Sequence, residues 1–244
     1  MDSVVNASNL DSFLQNRYLG DSGFFKCRDI PLTEFILDTP AAMAATGAGV
    51  VGWGSISTTM RGLVWDDTAD GSDIIRWMGT LPTDYRRSDE TTDSKGTIIL
   101  RAYMRKLDGT GSATDNTDLA VIATPYWHSP AYSTAGVAAD GDTSIKTVNT
   151  AITKTLGTKA AATAEEAFRW YEFDLLATAN FTSATVAATA RRALKPQSAF
   201  QFTLKPSETV GTDLYIELLA CELWYPALMT AKDQYDRSKI RISS

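Results

Sequence analysis

Ala199-Phe200-Gln201-Phe202-Thr203-Leu204-Lys205 places Phe200, Phe202 and Leu204 at every second position with small or polar residues between them. That is the two-residue period of a strand with one face buried. Pro206-Ser207-Glu208 breaks the strand and Gly211-Thr212-Asp213 turns the chain. Leu214 to Tyr225 then runs as a second strand rich in Leu, Ile, Tyr and Trp. The two read as an antiparallel pair at the centre of a sheet.

Further strands follow from the same pattern toward the N-terminus. Phe168-Arg169-Trp170-Tyr171-Glu172-Phe173-Asp174-Leu175 is an aromatic strand. Ile98 to Leu107 alternates, with Ile98, Leu100, Ala102 and Met104 on one side and Arg101, Tyr103 and Arg105 on the other, and it reads as a hairpin with Asp118–Tyr126. Leu63-Val64-Trp65 and Ile74–Met78 read as another hairpin, joined by the acidic stretch Asp66–Asp73. Phe24–Arg28 opens an edge strand that must stop near Ile30-Pro31, because proline has no amide to donate.

Residues 127–165 are irregular; Ile145–Val148 can add a strand and Ala160–Ala167 a short helix. Ala184–Leu194 is the best helix candidate, closed by Lys195-Pro196. The expected fold is all-β, an antiparallel double-sheet jelly-roll sandwich with one or two short helices and extended N- and C-terminal arms. Residues 1–40 form an arm and edge strand, 41–226 the body and 227–244 a tail.

The 244 residues suffice for one large β domain, and 44% hydrophobic against 21% charged residues describes a chain that can build a core. With 29 acidic against 23 basic residues the net charge is -6, and no basic stripe is present to displace phosphate counterions. Nucleic acid is therefore not an expected partner. Met1–Gln15 lacks the basic start and apolar centre of a signal peptide, and no run reaches the roughly 18 apolar residues of a membrane span. The expectation is a protein folded in a cytoplasm, with no membrane partner. Cys27 and Cys221, the two cysteines, sit in apolar strand contexts that favour buried free thiols over a disulfide.

Motifs of chemistry are weak. Gly47-Ala48-Gly49-Val50-Val51-Gly52 is a formal G-x-G-x-x-G, but a dinucleotide site needs a strand before it and a helix after it, and here alanines and Pro40 precede and β-branched residues follow. Asp66, Asp70 and Asp73 are the one candidate calcium set. They lack the EF-hand glutamate, since Trp77 stands six residues after Gly71. The single histidine, His128, has no nucleophile elbow to serve and too few companions for zinc.

Glu172 with Glu217 or Glu222 is the best carboxylate pair a glycosidase reading can find. Trp53, Trp65, Trp77, Trp127, Trp170 and Trp224 read as core or interface residues before sugar platforms. No catalytic residue, cofactor or resident metal is expected, and the chain is not read as an enzyme.

Leu81-Pro82-Thr83-Asp84-Tyr85, Leu100-Arg101-Ala102-Tyr103, Arg169-Trp170-Tyr171-Glu172-Phe173, Leu204-Lys205-Pro206-Ser207-Glu208 and Leu214-Tyr215-Ile216-Glu217 together resemble tailed-phage virion proteins with a jelly-roll core, over roughly Met60 to Tyr225. The resemblance implies a structural protein that decorates or cements the phage head, binds the major capsid protein, resides in the virion after assembly in the host cytoplasm, and forms homo-oligomers, with a trimer favoured. It carries over no functional residues.

Partner contacts are expected in the arms. Leu10, Phe13, Leu14 and Tyr18 share one side of a short amphipathic helix that must dock to be stable, and Tyr235, Arg237 and Arg241 mark the tail. The alternative is a carbohydrate-binding jelly-roll module of a phage tail or receptor-binding component, using exposed tryptophans.

Overall fold

A computed structural model of the chain describes residues 25–37, 51–54, 61–65, 73–86, 97–108, 120–128, 133–134, 137–138, 146–148, 150, 152–156, 160–161, 168–207 and 214–227. Its strands are β1 (Phe25–Ile30), β2 (Ile36–Leu37), β3 (Val51–Gly54), β4 (Gly62–Trp65), β5 (Ile75–Thr80), β6 (Ile99–Asp108), β7 (Ala120–His128), β8 (Ser133–Thr134), β9 (Val137–Ala138), β10 (Lys146–Thr147), β11 (Ile152–Thr155), β12 (Ala160–Ala161), β13 (Arg169–Asp174), β14 (Ala199–Pro206) and β15 (Leu214–Pro226). Among the described residues one α-helix, α1 (Ala184–Ala193), precedes β14.

Among the described residues, one sheet has seven strands in the order β12-β6-β15-β4-β3, with β1 also paired to β15 and β13 to β6. A second has six in the order β10-β7-β14-β5-β2, with β11 also paired to β7, and β8 and β9 form a two-stranded ribbon. The frame is thus β13-β6-β15-β4 facing β11-β7-β14-β5, and most successive frame strands lie in opposite sheets. This is the jelly-roll plan, an all-β double-sheet sandwich.

The topology corrects three expected pairings. β14 and β15 are each central, but in different sheets: β14 lies between β5 and β7, and β15 between β6 and β4. β4 and β5 are not a hairpin, nor are β6 and β7. The connecting segments 66–74, 109–119 and 207–213 exceed the roughly two to five residues of a tight hairpin. A connection of that length can cross the roughly 10 Å between stacked sheets.

Alternation is otherwise as read. Phe200, Phe202 and Leu204 are buried, as are Leu100, Ala102 and Met104 of β6. Phe202 stacks on Trp77 with ring centroids 5.5 Å apart and meets Phe35 edge-on at 5.9 Å. The Trp77 indole N–H donates to Glu34 Oε2 at 2.8 Å, which satisfies the one polar atom of a fully buried ring. Gly79 makes room for that ring, since a Cβ there would stand 2.5 Å from it.

The helix forms where expected, with Ser183 as its N-cap accepting from the Val186 amide at 3.2 Å. Ala187, Ala190 and Leu194 join the core. Buried Arg191 donates to the Leu176 carbonyl at 2.9 Å and to Thr178 Oγ1 at 2.6 Å, which gives its buried guanidinium hydrogen-bond partners.

Ala160–Ala161, expected to begin a helix, pairs in parallel with the end of β6 instead, the backbone pairing with the sheet overriding alanine's helix preference. Cys27, expected to be buried, is exposed on edge strand β1, while Cys221 is buried, and both are free.

Gly62 tests the packing. β15 is irregular between Leu218 and Ala220, and a Cβ at Gly62 would collide with the Leu218 carbonyl oxygen and stand 2.9 Å from Leu219 Cδ2. Backbone cannot step aside as a side-chain tip can. Gly62→Ala is therefore expected to lower stability by about 1–3 kcal/mol in urea titrations with an unchanged denaturant slope.

Candidate functional site

The seven-stranded sheet turns Arg101, Tyr103 and Arg105 of β6 outward, opposite the buried Leu100, Ala102 and Met104. Register sets their neighbours. Arg101 lies between Glu172 of β13 and Glu222 of β15, and Glu222 in turn lies beside Asp29 of β1. One row across four strands therefore reads Asp29, Glu222, Arg101, Glu172.

Arg101 bridges the row, its Nε 3.1 Å from Glu172 Oε1 and its Nη1 3.3 Å from Glu222 Oε2. Its guanidinium lies 4.9 Å from the Trp170 ring centroid and 5.4 Å from that of Trp224. Trp224 Nε1 donates to Glu222 Oε2 at 2.7 Å. Tyr103 stacks on Phe168 at 5.2 Å and tilts onto Trp170 at 5.0 Å. The result is an aromatic–arginine ladder in which Trp170 remains 38% exposed.

One step along β6, Arg105 and Glu217 are both fully buried on this outward face. Arg105 donates from Nε at 2.9 Å and from Nη2 at 2.7 Å to the same Glu217 oxygen, Oε2, while Phe168 covers the guanidinium at 4.1 Å. The other oxygen, Glu217 Oε1, is buried with no hydrogen-bond partner. Burial pushes the Glu217 carboxyl above the usual carboxylate range, and the Arg105 hydrogen bond and charge pull back only part of that.

Asp174, at the end of β13, is raised for the same first reason. It accepts from Thr97 Oγ1 and from the Leu176 amide. Glu172 and Glu222 share Arg101 and Glu217 pairs with Arg105, so the three glutamates weighed for glycoside chemistry form ion pairs across the sheet.

Cys27, Asp29 and Glu222 bring a thiol and two carboxylates within 4.8 Å of one another. The thiol is pushed up to about 11, chiefly by partial burial and then by the Glu222 and Asp29 charges. Glu222 is already engaged by Arg101 and Trp224.

Of the residues singled out in the sequence, Leu10, Phe13, Leu14, Tyr18, Tyr235, Arg237, Arg241, Asp66 and Asp70 lie outside the described residues. Asp73 is described, and its carbonyl accepts from Trp65 Nε1 at 2.8 Å. Val51 and Gly52, the end of the glycine-rich motif, are already in β3, so a strand follows where a dinucleotide site needs a helix. His128 ends β7 opposite Ala199. Trp65, Trp77 and Trp127 are core residues, Trp53 and Trp224 are half-buried, and Trp170 is exposed.

The opposite face differs in chemistry. The six-stranded sheet's strands contain no Asp or Glu, and Arg76 and Lys205 lie at outward positions of β5 and β14. A cleft of about 220 Å³ on this sheet is lined by Met78, Gly79, Tyr126, Trp127, Ala199, Phe200 and Gln201. Arg76 lies 5.6 Å from the Tyr126 ring centroid.

No protein-family model matches the chain, and no curated protein does. Among solved structures it is similar to the CBM22-1 xylan-binding domain of Paenibacillus barcinonensis Xyn10C, at 9% identity over 85% of this chain and 98% of that one, with a TM-score of 0.37. It is also similar to the VP2 subviral particle protein of infectious bursal disease virus, at 14% identity over 76% of this chain and 37% of that one, with a TM-score of 0.28.

The buried pair gives a pH-dependent prediction. Arg105→Met leaves a buried carboxylate without its cation and is expected to cost about 3–5 kcal/mol at neutral pH. A carboxyl whose folded-state value is raised binds its proton more tightly when folded, so the loss shrinks as pH falls through the Glu217 titration. Adding Glu217→Leu to Arg105→Met should recover most of the stability at neutral pH; urea melts at acidic and neutral pH measure both effects.

Proposed function

We propose that this chain is a non-enzymatic structural protein of a virus particle, which binds the major capsid protein and stabilises the shell. The observation that carries the reading is the placement of the two ends of the sandwich. Phe25 of β1 pairs with Pro226 of β15, Tyr85 bridges Ala227, and the Arg86 amide donates to the Pro226 carbonyl at 2.8 Å. Lys26 Nζ and Tyr225 Oη meet Asp84 at 2.7 and 3.3 Å and pin the same corner.

Phe25 and Ala227, beyond which the expected arms continue, therefore stand side by side at one anchored corner. Two arms rooted together reach one neighbouring site together, and the second contact then forms at the effective concentration set by the first. An arm burying several hundred Å² of apolar surface contributes roughly 5–10 kcal/mol before ordering costs, at about 25 cal/mol per Å². Copies of the chain associate in this reading, with a trimer favoured, and the protein resides in the assembled virion.

Removing 1–24 or 228–244 should leave a body with the circular dichroism and cooperative melt of the full chain, but at least tenfold weaker in co-sedimentation with capsids. Undiminished binding by both truncations would sink the reading.

One observation favours a second reading, a carbohydrate-binding module: Tyr126 presents a ring beside the Gln201 amide in the cleft of the six-stranded sheet. A glycan array with no bound sugar removes it.

A further inference from the structure

Beside the Arg101 clamp, at the edge of the same sheet, register assembles a set of donor atoms that the clamp does not use up. Cys27 and Asp29 stand two residues apart on β1 and so share one face of the strand, with Trp224 and Glu222 of β15 alongside them. The Cys27 sulfur and one carboxylate oxygen each from Asp29 and Glu222 all lie within 4.8 Å of one another. Sequence alone cannot show this set, because it exists only once β1 pairs with β15.

The donors define a class of ligand. One thiolate with two carboxylates suits a borderline divalent cation such as Zn2+, bound at about 2.3 Å from sulfur and about 2.0–2.2 Å from oxygen. Tetrahedral bonds of those lengths set the donor atoms about 3.4–3.6 Å apart. Cys27 and Asp29 are exposed, so their side chains have room to close on an ion, and the fourth position is left to water.

Charge points the same way. The row Asp29, Glu222, Arg101, Glu172 sets three carboxylates against one guanidinium. Arg101 is held by Glu172 and Glu222, and among the described residues no arginine or lysine pairs with Asp29. Arg28, between the two donors on β1, lies over the Trp77 ring on the other face. Glu222 accepts from both Arg101 and Trp224 through Oε2, so neither bond occupies Oε1. The thiol is pushed up to about 11 by partial burial and then by the Glu222 and Asp29 charges; a divalent cation offsets those charges and displaces the proton.

We propose that Cys27, Asp29 and Glu222 bind a divalent cation of the zinc class, which clips edge strand β1 to β15. Binding forms a metal–sulfur bond and releases the thiol proton to solvent. The site goes beyond the structural role proposed above and does not depend on it.

The test titrates the purified full chain, reduced and stripped of metal, with Co2+ and then with Zn2+. Co2+ should produce the ultraviolet absorption of a cobalt–thiolate bond, and Zn2+, the tighter binder, should abolish it. Zn2+ should bind with a dissociation constant below about 10 µM. Cys27→Ser should remove the cobalt–thiolate band, and Asp29→Asn should weaken Zn2+ binding by at least about tenfold. Cys221→Ala, which removes the buried thiol, should leave both signals as they are, with circular dichroism confirming that each variant is folded. A wild type without the band, or one that binds Zn2+ more weakly than about 10 µM, overturns the proposal. So does a band that survives Cys27→Ser, or a Zn2+ affinity that Asp29→Asn leaves unchanged, since either marks an adventitious ion only.

Discussion

Every buried strand here must keep one face against the opposite sheet, and the chain meets that constraint by passing from one sheet to the other after nearly every long strand. The stack of Phe202 on Trp77, with Phe35 at its edge, is the centre of that arrangement. It binds β14 to β5 within one sheet and leaves β15 to close the other. Because β15 sits between β6 and β4 and also receives β1, its loss would open the seven-stranded sheet at its middle.

The core commits one face of each strand and leaves the other for interactions, and the two sheets use that freedom differently. The seven-stranded sheet holds the acids and answers Glu172, Glu222 and Glu217 with arginines at matched register, the last in a fully buried pair under Phe168. A buried pair of this kind is weak evidence for stability; its best-attested role is to fix register. Here Arg105 faces Glu217 directly, and a shift of β15 by one residue would set that charge against an apolar core. The six-stranded sheet carries no acid in its strands and offers an aromatic recess instead.

Much of this was legible before any coordinates. The alternation of Phe200, Phe202 and Leu204, the aromatic run around Trp170, and the helix between Ser183 and Lys195 all stand where the pattern puts them. Pairing was not legible, because alternation fixes which face a residue takes but says nothing about which strand lies alongside; Leu63–Trp65 and Ile74–Met78 look like a hairpin whether or not the intervening acidic loop crosses the core. The Arg101 clamp was missed for a related reason. Its signal, arginines at 101 and 105 alternating with Tyr103 and acids at 172, 217 and 222, becomes an ion-pair ladder only once β13 and β15 are known to flank β6.

The role proposed for this chain is in the shell of a particle. A cryo-EM map of the purified particle tests that most directly. The account predicts density for the sandwich on the shell, with segments 1–24 and 228–244 running from the Phe25–Ala227 corner onto capsid subunits. Particles whose shells lack this density, while the chain remains solitary in the soluble fraction, would contradict it.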